Sequence, residues 1–185
     1  MKAAKTSVIL WTLFLAAALA LAPGDLVRAG DQWERVQGHP YKKKAPEGYC
    51  NCLFASREIG KDHESEVVLK EVFTRPEPVY ARCYFPGRVD EIPPEDFWHE
   101  IWIDGRPVRR TVFEEAPVPG ADQVQIWITE DEYAQDMAAL EPGRHEVVLW
   151  VMVNVRQGNP DLPEDQKDIW TTVRLAKGEF IYIVP

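Results

Sequence analysis

Apolar positions in this chain recur mostly at every second residue. The clearest run is residues 145–155, entered through Pro142-Gly143. Side chains alternate faces along a strand. Val147, Leu149, Val151, Val153 and Val155 would then form one wholly apolar face. Glu146, Val148, Trp150, Met152 and Asn154 would form the other, apolar in the middle and polar at its ends. The valines, branched at Cβ, suit a pleated strand better than a helix. A strand with one solvated face would not need Val148, Trp150 and Met152. This one is therefore expected to be central and covered, at least partly, on both sides.

The same alternation, broken by Pro and Gly, marks residues 66–73, 79–85, 97–103, 107–113, 123–129, 169–175 and 180–184 as further strands. Asp104-Gly105 is a tight-hairpin signature, because both positions accept positive φ. Ala176-Lys177-Gly178 reads as a turn or a bulge. One segment, residues 130–140, has a helical period: Tyr133, Met137 and Leu140 share a face, and Thr129 with Glu132 has the spacing of a capping box. Residues 30–63 carry few strand signals. They read as an extended lead-in with one short strand around 49–54, ahead of a domain over residues 64–185.

About seven to nine short strands, one short helix and no long helical pattern between strands predict an all-β fold, an antiparallel β-sandwich. The arrangement resembles the immunoglobulin-like and fibronectin-like sandwiches in architecture. The Leu140…Pro142-Gly143…His145 approach is similar to the corner before their penultimate strand. The antibody-type cysteine pair is missing, because that late strand offers Val, Leu and Met where a second cysteine would stand. Such an architecture hosts many functions and names none.

The N-terminus changes the compartment. Lys2 and Lys5 precede an uncharged apolar run from Val8 to Ala22, and Pro23-Gly24 ends it. This is the pattern of a secretory signal peptide over residues 1–29, with cleavage sites after Ala22 or Ala29. The run is short for a membrane span. A secreted or periplasmic chain, with no membrane span after cleavage, is expected. The full chain holds 21 basic and 30 acidic residues. Removing residues 1–29 takes away Lys2, Lys5, Arg28 and Asp25, leaving 18 against 29. So acidic a chain argues against nucleic acid and anionic membrane surfaces as partners.

Cys50, Cys52 and Cys83 allow one internal bridge after export, joining Cys83 to Cys50 or to Cys52. Cys50 and Cys52 could instead give two soft metal ligands. However, His39, His63, His99 and His145 are scattered singly, without ligand spacing. Two acidic loops, Asp90, Glu91, Glu95, Asp96 and Asp161, Glu164, Asp165, Asp168, could hold calcium, yet neither has the Asp-X-Asp-X-Asp-Gly pattern. No metal and no cofactor is assigned. Catalysis has little support. There is no Gly-X-Ser-X-Gly, serine after residue 29 is limited to Ser56 and Ser65, and alternation puts His99 and Glu100 on opposite faces. No catalytic residue is assigned. The basic residues Lys42–Lys44, Arg106, Arg109 and Arg110 read as solvated or paired with acidic loops.

Aromatic residues are the most suggestive chemistry. Trp98, Trp102, Trp127, Trp150 and Trp170 fall on predicted strands, and Trp98 and Trp102 share a face. Exposed aromatics on a sheet anchor protein partners or stack on sugars. Trp98, Trp102, Trp150 and Met152 are the candidate binding surface, against the plainer reading that they fill a core. The expectation is an exported, non-catalytic domain that binds a protein or cell-envelope partner. The alternatives are a carbohydrate-binding module using exposed Trp, with or without calcium, and a small Cys/His metal-binding protein.

Overall fold

The structure, a computed structural model, describes residues 33–157 and 169–185. The expected signal peptide lies outside the described residues, and so does the acidic loop of Asp161, Glu164, Asp165 and Asp168. The described chain is mostly β, with ten strands: β1 (Glu34–Arg35), β2 (Lys43–Lys44), β3 (Cys50–Ala55), β4 (Val72–Thr74), β5 (Tyr80–Tyr84), β6 (Phe97–Ile103), β7 (Arg106–Val112), β8 (Gln123–Trp127), β9 (Gly143–Gln157) and β10 (Ile169–Val184). A π turn, Ile128–Glu132, leads into the short helix α1, Ala134–Ala138.

The strands form one large, open, mixed sheet in the order β1-β2-β3-β10-β9-β6-β7. β4 also pairs with β10, and β5 lies between β3 and β8. The chain is mostly β, as expected, but the sheet is mixed rather than wholly antiparallel. β10 pairs parallel with β3, Ala176 opposite Cys50, and with β4, Ile181 opposite Val72. Strands joined by tight turns must run antiparallel. β3 and β4 meet β10 only after most of the chain has intervened, so no turn dictates their direction, and local sequence patterns carry no trace of it.

The β9–β10 ribbon is the axis of the fold. It pairs from Val184 opposite Gly143 to Ile169 opposite Gln157, with a register shift between Arg174 and Ala176. Ala176-Lys177-Gly178, expected as a turn or bulge, pairs in regular register just after this shift at Leu175, and the two strands expected there are one. The inner face of β9 is apolar as expected: Val147, Leu149, Val151 and Val153 are buried, and only Val155, toward the end, is exposed. Each such burial is worth roughly 1.5–3 kcal/mol. The β6–β7 hairpin turns at Asp104 and Gly105, both at positive φ.

β3 carries the chain between two parts of the sheet. Cys50 and Asn51 pair with β10, whereas Cys52 to Ala55 pair with β5. β5 and β8 thereby share one core with β6, β9 and β10: Ala81, Cys83 and Ile126 belong to the same cluster as Ile101, Leu149, Val151 and Phe180.

Two local expectations change. Of the 66–73 region only Val72 and Phe73 lie in a strand, at the start of β4. A 3-10 turn takes Glu64–Glu66 and leaves Val68 78% exposed. The helix is shorter than its period suggested. Thr129 makes no capping box, because its Oγ1 accepts the Val79 N–H at 2.7 Å and ties the π turn to β5. Tyr133 and Met137 are nevertheless buried on one face, as read.

Candidate functional site

The four residues proposed as a binding surface do come together. β6 and β9 are paired so that Trp98 stands opposite Met152, Glu100 opposite Trp150 and Trp102 opposite Val148. Alternation puts all six on the outer face of the sheet. They leave little free surface. Trp98 is 4% exposed and Trp150 is 8% exposed, while Trp102 and Met152 are half-buried. Arg110, on the neighbouring β7, lies over Trp98 at 3.9 Å, and Arg174, on β10, lies over Trp150 at 4.2 Å. Such stacked cations are worth about 0.5–2 kcal/mol each. Trp102 donates its ring N–H to Glu100 at 2.8 Å.

The lead-in segment supplies the remaining cover. Tyr49 meets Trp150 edge-on at 5.3 Å, and Trp33 meets Tyr49 in the same way at 5.4 Å. Ala45, Tyr49 and Trp150 form a second small core, with Trp33, Trp102, Val148 and Met152 packed around it. The second apolar face of β9 is thus covered in part by the lead-in segment, with Trp150 buried and Val148 and Met152 half-buried. The more exposed tryptophans are two that the sequence did not single out, Trp127 at 37% and Trp170 at 52%.

A cleft of about 780 Å³ opens beside this cover. Its floor is Cys52, Phe54 and Gly178, where β3 leaves β10. Leu53 and Leu69 add apolar wall. Trp33 and Arg35 come from β1 and the residue before it, and Tyr41 and Lys43 from β2 and its approach. Both arms present an aromatic residue and, two positions later, a cation. In the β1–β2 pair Arg35 stands directly opposite Lys43. Asn51 fixes this arm, accepting the Lys43 backbone N–H at 2.6 Å and donating to the Tyr41 carbonyl at 3.0 Å. The lip also holds Lys177, ion-paired with Glu179 at 2.6 Å, then Lys70, bonded to Glu77, and Glu71. The repeated aromatic-X-cation spacing of Trp33-Glu34-Arg35 and Tyr41-Lys42-Lys43 was the available signal. The segment lacks the apolar alternation of a buried strand, so periodicity does not mark it.

The other candidate groups are occupied. Cys52 is bonded to Cys83, directly across the β3–β5 pair, and Cys50 is the buried free thiol. Burial pushes the Cys50 thiol up, against the opposing pull of Lys42. With Cys52 in a disulfide, Cys50 and Cys52 do not form the thiolate pair that the metal-binding alternative would use. Among the described residues no group of three His, Cys, Asp or Glu stands together as a metal site. Asp90 has both carboxylate oxygens taken, by Arg88 at 3.0 and 2.6 Å and by the Gly120 N–H at 2.8 Å. Lys42 is buried and reaches Asp122 at 3.0 Å. His99 is 1% exposed, with Nδ1 2.7 Å from the Tyr133 hydroxyl, and burial holds its pKa down at about 3. His99 is thus a neutral residue of the core.

Compared with known protein families, characterised proteins and solved structures, the chain matches none.

Proposed function

We propose that this chain is an exported, non-catalytic β domain that binds a protein or cell-envelope partner, and that it does so through the cleft between the β1–β2 arm and the β3–β10 fork. The observation that carries this reading is the cleft itself: about 780 Å³, with an apolar floor and a charged lip. That size and that mix of surfaces are those of a ligand site. The signal-peptide pattern of residues 1–29 supports export. The core shared by β5 and β8 with β6, β9 and β10 supports taking the two sides of the folded sheet as sandwich-like layers. A sugar-stacking surface on Trp98 and Trp150 is disfavoured by their cover.

The test is cross-linked capture from the cell envelope with the wild-type chain and with Leu53→Trp, which fills the cleft. A specific partner that is lost in Leu53→Trp is the expected result. Capture unaffected by Leu53→Trp, or none at all, would sink the reading.

A further inference from the structure

Like charges placed directly across a strand pair repel and destabilise it. Arg35 and Lys43 are such a pair, and both line the cleft. Among the described residues neither makes an ion pair, although the chain has 30 acidic residues to draw on. The opposite face of the same two-residue ladder pairs Glu34 with Lys44, the favourable combination. The unfavourable pairing is therefore confined to the side that faces the cavity. A local rule broken at the wall of a cleft is where function is expected to reside. An anion placed between the two side chains would turn the repulsion into two charge-assisted hydrogen bonds.

The rest of the cleft narrows the class of ligand. Beside the two cations stand Trp33 and Tyr41, and beneath them the floor of Cys52 and Phe54 with Leu53 and Leu69. This is a surface for an apolar side chain, not a track of cations for a polyanion. The remaining lysines of the lip, Lys70 and Lys177, already hold Glu77 and Glu179. Glu71, exposed on the lip, would turn away an anion that spread beyond the Arg35–Lys43 arm.

Resting on the proposed binding function, we infer that the cleft receives an acidic peptide segment of a partner protein, one carboxylate lying between Arg35 and Lys43 and a neighbouring apolar side chain on the floor. The test uses fluorescently labelled Glu-Leu-Glu-Phe-Glu, its counterpart with Gln for every Glu, and inorganic polyphosphate, with the full exported chain. The acidic peptide should bind at least about tenfold tighter than the Gln peptide, with an advantage that shrinks in high salt. Arg35→Glu should abolish that preference while raising the melting temperature of the free protein, because it places an acid opposite Lys43. The rise separates loss of the site from loss of the fold.

Equal binding of the two peptides, binding unchanged in Arg35→Glu, or no binding of either peptide would overturn the inference. Polyphosphate binding through Arg35 and Lys43 without peptide binding would overturn it in favour of a phosphate polymer. If Leu53→Trp abolishes partner capture while Arg35→Glu leaves it intact, the cleft remains the site and only its acidic-ligand assignment falls.

Discussion

Phe54 lies across the backbone of Gly178 so closely that a Cβ added there would stand 2.5 Å from the ring's Cζ and 2.8 Å from the Cβ of Cys52. No real Cβ is found at such distances, and neither neighbour is free to move. Phe54 packs on Phe180 at 4.9 Å between ring centroids, and Cys52 is held in its disulfide. Gly178 is therefore needed for close approach, at the point where β3 leaves β10 to join β5.

Gly178→Ala should consequently destabilise the protein by about 1–3 kcal/mol through overpacking. Urea denaturation measures the loss. Phe54→Leu should recover part of it when combined with Gly178→Ala, because the two changes meet at one contact. Strict additivity of the two would contradict the close approach.

The Cys52–Cys83 bridge closes a loop with a sequence separation of 31 residues. Cross-linking a loop of that length stabilises the folded state by about 3–4 kcal/mol through the unfolded chain. Replacing both cysteines with alanine should cost about that much, read by chemical denaturation. Peptide mapping of the native protein should show Cys52 bonded to Cys83. Cys50, buried and with a raised thiol pKa, should react with alkylating reagents only after denaturation.

The two faces of β9, the Asp104-Gly105 hairpin and the Tyr133–Met137 stripe were legible because each depends on side-chain period or turn chemistry within a few residues. The parallel neighbours of β10 were not. Nothing local distinguishes a strand that will pair with its hairpin partner from one that will meet the far end of the chain. The candidate site was legible in part. Trp98, Trp102, Trp150 and Met152 lie on one face of the sheet, as alternation within each strand assigns them. The cover of Trp150 depends on Tyr49, more than 45 residues away in sequence, with Trp33 packed on Tyr49. The cleft was not legible, because it needs β1, β2, the fork at Gly178 and the Leu69 segment brought together.

His99 gives the stability of this protein a definite dependence on pH. Its ordinary pKa of 6.5 is held down to about 3 by burial, so the folded state keeps it neutral where the unfolded chain takes up a proton. Stability should fall as pH drops from 6.5 toward 3, with a slope approaching about 1.4 kcal/mol per pH unit from this one group. His145 acts in the opposite sense. Its pKa is raised by the Glu141 carbonyl and then by Asp104, at 2.9 and 2.8 Å, so its contribution is full below 6.5 and is lost as pH rises through the raised value. Asp104 is half exposed, which limits that pair to about 1 kcal/mol or less. Unfolding titrations should show a flatter acid limb in His99→Gln. An unchanged acid limb would mean that His99 is not the group responsible.

Tyr49 is where the lead-in segment holds the outer face closed. It is 7% exposed and sits between Trp33 and Trp150, with ring contacts to both. Tyr49→Ala should remove both contacts and uncover Trp150, at a cost of roughly 3 kcal/mol. Tyr49→Phe keeps both ring contacts and should leave Trp150 covered. The readout that separates cover from general weakening is tryptophan fluorescence of the folded protein: Tyr49→Ala should shift emission to longer wavelength and increase acrylamide quenching. Arg174 still stacks on Trp150 in that variant, so the gain in quenching should be partial and should grow when Arg174→Ala is added. Emission identical to wild type in both variants would mean that Trp150 is shielded by something other than Tyr49 and Arg174.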